Sequence, residues 1–111
     1  MKLYVMRHGP AEVRRPGLAD EARSLTDEGA EDVRRAAVGL GRLKVNPRRI
    51  LTSPVKRAFQ TAEIVAKAMG LTEQLAIADV LSAGSSPDAI LQSLGREAED
   101  LMNEPELGVG E

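Results

Sequence analysis

Short apolar runs bounded by turn residues alternate along the chain with longer segments in which apolar residues recur every three to four positions. The short runs are rich in residues that favour extended structure, which is typical of buried strands. The first run ends at Arg7-His8-Gly9-Pro10, where glycine and proline indicate a turn. Strands are therefore predicted over residues 2–6, 49–52 and 75–78.

The longer segments begin with residues that cap helices. Thr26 precedes the acidic Asp27 and Glu28, which suit the positive end of a helix dipole. A serine followed by a proline, first at Ser53, begins each of the two later segments, and Gly70 lies where a left-handed C-cap belongs. Helices are therefore predicted over residues 27–43, 54–69 and 87–94, with a loop over residues 10–24.

The elements alternate in the order strand, loop, helix, strand, helix, strand, helix. Strands that alternate with helices indicate an α/β fold with a mainly parallel sheet flanked by helices. We expect one domain, whole or partial, over residues 1–111. The acidic tail at 96–111 does not complete another strand–helix unit.

Composition narrows the possible functions. A formal net charge of −2 and only two aromatic residues, Tyr4 and Phe59, do not favour nucleic-acid binding. The absence of cysteine excludes disulfides and thiolate sites, and a single histidine excludes a multi-histidine zinc centre. No apolar run is long enough for a membrane span or a signal-peptide core. We therefore expect a cytoplasmic protein that binds neither nucleic acid nor membrane.

Chemically reactive residues follow the first two predicted strands. Arg7 and His8 come after the first strand, and Ser53 and Arg57 come after the second. Because ligands bind outside the carboxyl ends of parallel strands, we expect these side chains to lie close together. The guanidinium group of arginine binds two phosphate oxygens at once, and a neutral imidazole is a competent nucleophile. The free amides at the start of a helix that begins at Ser53 would attract an anion.

The residues alone leave a second interpretation open. A lone histidine after a strand is commonly a turn or core residue, and serine–proline pairs need no role beyond capping. The arginine pairs at 14–15, 34–35 and 48–49 are typical of solvated faces. Composition and spacing therefore favour neither a phosphate site nor its absence.

Three ordered sequence blocks resemble the histidine phosphatase superfamily, also called phosphoglycerate-mutase-like. The first block is LYVMRHG at residues 3–9, and LTDEG at residues 25–29 resembles the family's L-T-x-x-G. The third block, LTSPVKRAFQTA at residues 51–62, matches S-P-x-x-R-A-x-x-T-A. Three blocks in order are far more specific than Arg-His-Gly alone, and the resemblance extends over most of the chain.

The small size of the chain makes it most similar to the SixA branch of phosphohistidine phosphatases. The resemblance implies a three-layer α/β sandwich with a mainly parallel sheet, incomplete at the C-terminus. It also implies that His8 is the phosphorylated nucleophile and that Arg7 and Arg57 bind the phosphoryl oxygens. Neither a metal ion nor an organic cofactor is implied.

The chain departs from the family pattern at two positions. Members that hydrolyse phosphate esters usually carry a glutamate general acid in the segment after the S-P-x-x-R-A block. Here residues 79–84 offer only Asp79, either as a substitute for that glutamate or as a residue at the end of a helix or strand. The family's second active-site histidine is absent. Asn103 stands in its place after a shortened strand at 100–102, or is a plain surface residue. We expect a truncated member or a piece of a longer chain.

Three functions remain open. The first is a phosphohistidine phosphatase that works through phospho-His8 on a phosphorylated protein such as a histidine phosphotransfer-type domain. The missing glutamate fits this function, because imidazole leaves more easily than an alkoxide and needs less help from an acid. The second is a small-molecule phosphate-ester phosphatase. The third is a non-catalytic remnant that binds phosphate or a phosphoprotein through Arg7, Arg57 and the helix start at Ser53. The sequence does not indicate an oligomeric state.

Overall fold

The computed structural model describes residues 4–81 and 85–103, which form helices and a small sheet. Three single 3₁₀ turns lie at Asp20–Ala22, Thr72–Gln74 and Asp79–Leu81. The regular elements of the described residues are α1 (Asp27–Arg42), β1 (Ile50–Thr52), α2 (Lys56–Met69), β2 (Leu75–Ile77) and α3 (Pro87–Asn103).

The sheet of the described residues consists of β1 and β2, which pair in parallel. Ile50 lies opposite Leu75 and Thr52 lies opposite Ile77, and α2 provides the crossover between the two strands. A parallel pair needs such a crossover, because a tight hairpin can join only antiparallel strands. The α/β class with a parallel sheet is confirmed.

The core lies mainly between α1 and α2. Val33 and Ala37 are one helical turn apart on α1, so they share a face, and both are buried against Val65 of α2. Partly buried apolar side chains surround this cluster: Leu25, Leu40, Ile50, Ile64 and Met69. This contact packs the middle of α1 against the C-terminal half of α2 and so fixes the two helices relative to each other.

The predicted helix ends are confirmed where local chemistry decides them. The Thr26 side chain accepts a hydrogen bond from the amide of Gly29 at 2.9 Å, so it is the N-cap of α1. Gly70 ends α2 with φ of +69°, in the left-handed region that glycine adopts without a steric cost. Ser86 accepts from the amide of Ala89 at 3.1 Å at the start of α3.

The predicted first strand is wrong in its described part. Tyr4, Val5 and Met6 belong to no strand, and Val5 is 89% exposed. A strand forms only where a neighbouring strand supplies hydrogen-bond partners. Among the described residues β1 pairs with β2, and neither strand pairs with residues 4–6. Residues 1–3 lie outside the described part of the chain.

Two predicted helix boundaries are also wrong. The helix expected to begin at Ser53-Pro54 begins at Lys56, because the Ser53 hydroxyl accepts from the amide of Val55 at 3.2 Å and forms a local turn instead of a cap. The helix expected to end before Gly95 continues to Asn103. A glycine inside a helix costs about 1 kcal/mol, which the helix formers after it offset. Residues 100–102 are consequently helical, not a strand.

No helix among residues 4–81 and 85–103 is long and apolar enough to cross a membrane.

Alanine substitutions at two glycines of α1 should change the stability of the protein in opposite directions. A Cβ on Gly29 would meet the carbonyl oxygen of Pro10, whereas nothing lies within 4 Å of a Cβ on Gly39. We expect Gly29→Ala to lower the free energy of unfolding by about 1–3 kcal/mol through overpacking. Gly39→Ala, the matched control, should raise it by about 0.5–1 kcal/mol. Urea unfolding measures both, and equal effects would contradict the close approach of Pro10 to α1.

Candidate active site

Gly9 anchors the segment that carries His8 against both α1 and α2. A Cβ on this buried residue would lie 2.7 Å from Cγ2 of Val33 and 3.1 Å from the carbonyl oxygen of Gly29, so only glycine fits. The amide of Gly9 donates to Oγ1 of Thr61 at 3.1 Å. The residue after His8 is therefore fixed even though the segment before it forms no strand.

Thr61 connects this segment to the start of α2. The residue is buried, at 5% exposure, and its hydroxyl donates to the carbonyl oxygen of Arg57 at 2.8 Å while it accepts from Gly9. One hydroxyl group therefore holds the main chain beside His8 and the main chain of Arg57. This is the structural role of the threonine in the third sequence block.

The second and third blocks meet at Gln60. Its side-chain oxygen accepts from the amide of Leu25 at 2.8 Å. The amide of Thr26 in turn donates to the carbonyl oxygen of Pro10 at 3.0 Å. All three sequence blocks are thus joined by hydrogen bonds around the His8 turn.

His8 and Arg57 face each other across the site. Nε of Arg57 lies 3.4 Å from Nε2 of His8, and Nδ1 of His8 lies 2.8 Å from the carbonyl oxygen of Gly9. A carbonyl only accepts and a guanidinium only donates, so both contacts require the hydrogen on Nδ1 and a lone pair on Nε2. The exposed imidazole therefore presents Nε2 as its basic, nucleophilic nitrogen.

Asp20 holds Arg57 and was not identified from the sequence. Nη1 of Arg57 donates to the main-chain oxygen of Asp20 at 2.8 Å, and Nη2 donates to Oδ2 at 3.2 Å. Asp20 belongs to a 3₁₀ turn inside the predicted loop, 37 residues before Arg57. An isolated acid in a polar loop carries no periodic signal, and only its spacing from the L-T-x-x-G block could have suggested a role.

Two further arginines surround the Asp20 carboxylate. Oδ1 lies 2.9 Å from Nη2 of Arg23 and 3.3 Å from Nε of Arg14. Desolvation raises the pKa of Asp20, but the charges of Arg57, Arg23 and Arg14 outweigh it and hold the pKa below its usual range. Asp20 is therefore ionised throughout the neutral range.

The carboxylate of Glu12 stabilises the loop that contains Asp20 through two contacts. Its Oε1 accepts from the amide of Ser24 at 2.9 Å, and Oε2 pairs with Arg15 at 3.3 Å. The hydrogen bond from Ser24 is the main reason that the pKa of Glu12 is lowered, with a smaller contribution from Arg15.

The other predicted site residues are not joined to His8 by hydrogen bonds in the described part of the chain. Arg7 is exposed and makes neither a hydrogen bond nor an ion pair with a described residue. Ser53 is engaged in its local turn, and Asp79 is an exposed residue of the turn after β2. Asn103 is the last residue of α3, and its side chain lies outside the described residues.

The N-terminal end of α2 adds a favourable potential for an anion. Arg57 is the second residue of this helix, and the first turn contains no acidic residue. Free amides and the helix dipole make such an end attractive to negative charge. The Nε2 nitrogen of His8 therefore lies beside an arginine of the first turn of this helix.

Comparison with known proteins identifies relatives of this arrangement. The sequence model described as "Histidine phosphatase superfamily (branch 1)" matches residues 3–81. The phosphohistidine phosphatase SixA of Escherichia coli is 38% identical over 71 residues, which are 64% of this chain and 43% of that protein. The chain spans less than half the length of the curated relatives that it matches.

Two solved structures share the fold. The protein histidine phosphatase SixA complexed with tungstate aligns with a TM-score of 0.69 and 33% identity, over 84% of this chain and 60% of that one. The putative phosphohistidine phosphatase SixA from Agrobacterium tumefaciens aligns with a TM-score of 0.71 over 85% of this chain and 60% of that one. At 21% identity, the latter supports the fold alone.

Substitution of Thr61 tests the connection between Gly9 and Arg57. Thr61→Val keeps the shape of the side chain but leaves the buried amide of Gly9 without an acceptor, which costs about 1–3 kcal/mol. We expect faster hydrogen exchange at Gly9 in this variant, measured by NMR. Thr61→Ser, the control, retains the hydroxyl and should retain the protection of that amide. Equal exchange rates in the two variants would contradict the connection.

The lowered pKa values of Asp20 and Glu12 predict loss of stability in acid. A carboxyl whose folded pKa is depressed stabilises the fold above its ordinary pKa of about 4 and loses that contribution as the pH falls through the folded value. We expect the unfolding temperature to decrease below about pH 4. The decrease should be shallower in Asp20→Asn than in the unsubstituted protein, as measured by thermal unfolding across pH. Parallel curves would exclude a contribution from Asp20.

Proposed function

This chain belongs to the histidine phosphatase superfamily, branch 1, and we propose that it is a phosphatase that takes up a phosphoryl group on His8. The observation that carries the proposal is the pairing of His8 Nε2 with Arg57 Nε at 3.4 Å, while Nδ1 is held by the carbonyl of Gly9. This arrangement supplies a nucleophile and a cation at the same point.

The nucleophile is Nε2 of His8. The hydrogen bond from Nδ1 to the main chain fixes the ring and its tautomer, so no proton has to be removed before attack. In the absence of a ligand, the Nε2 lone pair accepts from Arg57. A phosphoryl oxygen that accepts from Arg57 instead releases that lone pair beside the phosphorus atom.

The charge of the transferring group is balanced by Arg57, by the exposed Arg7 and by the N-terminal end of α2. Positioned cations and amides supply most of the catalysis in phosphoryl transfer. Tungstate is a tetrahedral oxyanion like phosphate, and its complex with a 33% identical SixA supports oxyanion binding in this fold. Ser53 takes no part in this proposal beyond its turn at the start of α2, and Asn103 remains a candidate replacement for the second histidine.

The reaction proceeds in two balanced steps. Nε2 of His8 attacks the phosphorus, the bond from phosphorus to the leaving nitrogen breaks, and the leaving imidazole takes a proton from water, which leaves a hydroxide ion. A second water then attacks phospho-His8, which returns the lone pair to Nε2 and releases inorganic phosphate, and a proton from this water neutralises the hydroxide. Both steps use side chains of this chain and water.

Phosphohistidine on a protein is the substrate that fits this site best. Its imidazole leaves without a strong acid, and no carboxylate among the described residues hydrogen-bonds to His8. The imidazole of His8 is exposed, so a bulky phosphoprotein reaches it. The similarity to SixA proteins, named phosphohistidine phosphatases, supports the same assignment, with a histidine phosphotransfer-type domain as the partner.

Intact-mass spectrometry after mixing with phosphoramidate tests the nucleophile. We expect one phosphoryl adduct, absent in His8→Ala because no other histidine is present. Arg57→Ala should slow adduct formation by about 10²–10³-fold, the usual effect of removing a donor to developing charge. Arg34→Ala, whose arginine pairs with Glu31 on α1, is the matched control and should react at the unsubstituted rate.

Each other outcome contradicts part of the proposal. An adduct that persists in His8→Ala would exclude His8 as the nucleophile. Phosphate binding without any adduct would identify a non-catalytic binding protein. Hydrolysis of a sugar phosphate as fast as that of a phosphohistidine peptide would contradict the assigned substrate class.

A further inference from the structure

We propose that Asp20 is a positioning residue, which turns the guanidinium of Arg57 so that its Nε edge faces His8. The inference rests on the proposed function of that pair. It assigns a role in the site to a residue that touches neither His8 nor the phosphoryl group.

Asp20 binds Arg57 at two points that together define the plane of the guanidinium. The main-chain oxygen accepts from Nη1 at 2.8 Å and Oδ2 accepts from Nη2 at 3.2 Å. With both terminal nitrogens held on the side of Asp20, Nε is the nitrogen that remains directed to His8, at 3.4 Å from Nε2. A planar fork held at two nitrogens cannot rotate without losing both bonds.

Asp20 is itself held in place. Its Oδ1 accepts from Nε and Nη2 of Arg23 at 3.0 and 2.9 Å, which leaves Oδ2 for Arg57. Arg23 also donates to the main-chain oxygen of Glu12 at 2.8 Å. The side chains of Arg23 and Arg57 are each only 15% exposed, whereas that of Asp20 is 41% exposed, so the two guanidinium groups are the more shielded members of this cluster.

The charge of Asp20 and its positioning role have opposite effects on anion binding. A carboxylate close to Arg57 repels phosphate, so removing its charge should tighten binding if charge alone mattered. If Asp20 orients Arg57, its removal should weaken binding, because the guanidinium then samples other directions. The sign of the change therefore separates the two roles.

The lone histidine provides a readout that does not depend on catalysis. Diethyl pyrocarbonate acylates the unprotonated nitrogen of imidazole, and His8 is the only histidine of the chain. Arg57 covers Nε2 through its Nε–H, so the acylation rate reports how well Arg57 is held. The rate is measured in a double-substitution cycle of Asp20→Asn and Arg57→Ala. Asp32→Asn, which alters a carboxylate paired with Arg35 on α1, is the matched control.

Asp20→Asn should accelerate acylation of His8 by at least about threefold, the lower range of what one net hydrogen bond contributes. It should have no further effect once Arg57 is alanine, and Asp32→Asn should leave the rate unchanged. The same substitution should weaken the binding of inorganic phosphate by about threefold or more. Asp20→Glu restores the charge but displaces the carboxylate by one methylene, so it should give an intermediate rate and serves if Asp20→Asn does not fold.

An unchanged acylation rate in Asp20→Asn would overturn the inference, as would equal acceleration in the presence and absence of Arg57. Tighter phosphate binding in Asp20→Asn would also overturn it. Failure of the proposed function looks different: no phosphoryl adduct forms on the unsubstituted protein, while the coupling between Asp20 and Arg57 is still observed.

Discussion

The site depends on one buried hydroxyl group. Oγ1 of Thr61 accepts from the amide beside His8 and donates to the carbonyl of Arg57, so one atom sets the distance between the two main-chain segments of the site. The packing of Val33 and Ala37 against Val65 holds the helices on which this contact depends. His8 and Arg57 are thus aligned by the same core that stabilises the fold.

The charged side chains around Arg57 are arranged by a single carboxylate, that of Asp20. Asp20 gathers Arg14, Arg23 and Arg57 around one carboxylate, which leaves the cluster positive while it keeps like charges apart. Asp20 engages Nη1 and Nη2 of Arg57, so Nε is the nitrogen left for His8 and for an anion beside it. In a cluster of arginines alone, repulsion between the guanidinium groups would disorder their side chains. Here the Asp20 carboxylate holds the three side chains in place, and the cluster still has a net positive charge.

Sequence reasoning succeeded where the determinants are local. Thr26, Gly70 and Ser86 act through neighbouring backbone groups, and the two described strands follow from short apolar runs. It failed where distant or competing contacts decide. The turn made by Ser53 places the start of α2 at Lys56, and the segment of Val5 pairs with no described strand. The hydrogen bonds between Asp20 and Arg57 join residues 37 positions apart, and no sequence pattern indicates them. His8 and Arg57 were placed together correctly, although through Thr61 and not through a first strand.

The bond between Gly9 and Thr61 joins residues 52 positions apart, and the contact between His8 and Arg57 spans 49. Closing loops of this length costs conformational entropy, which the packing of α1 against α2 offsets in the folded state. The site is therefore absent from any partly folded chain that has its helices but not their contact. An anion held between His8 and Arg57 would act as a ligand of the fully folded state alone, and would shift the folding equilibrium by mass action as well as occupy the site.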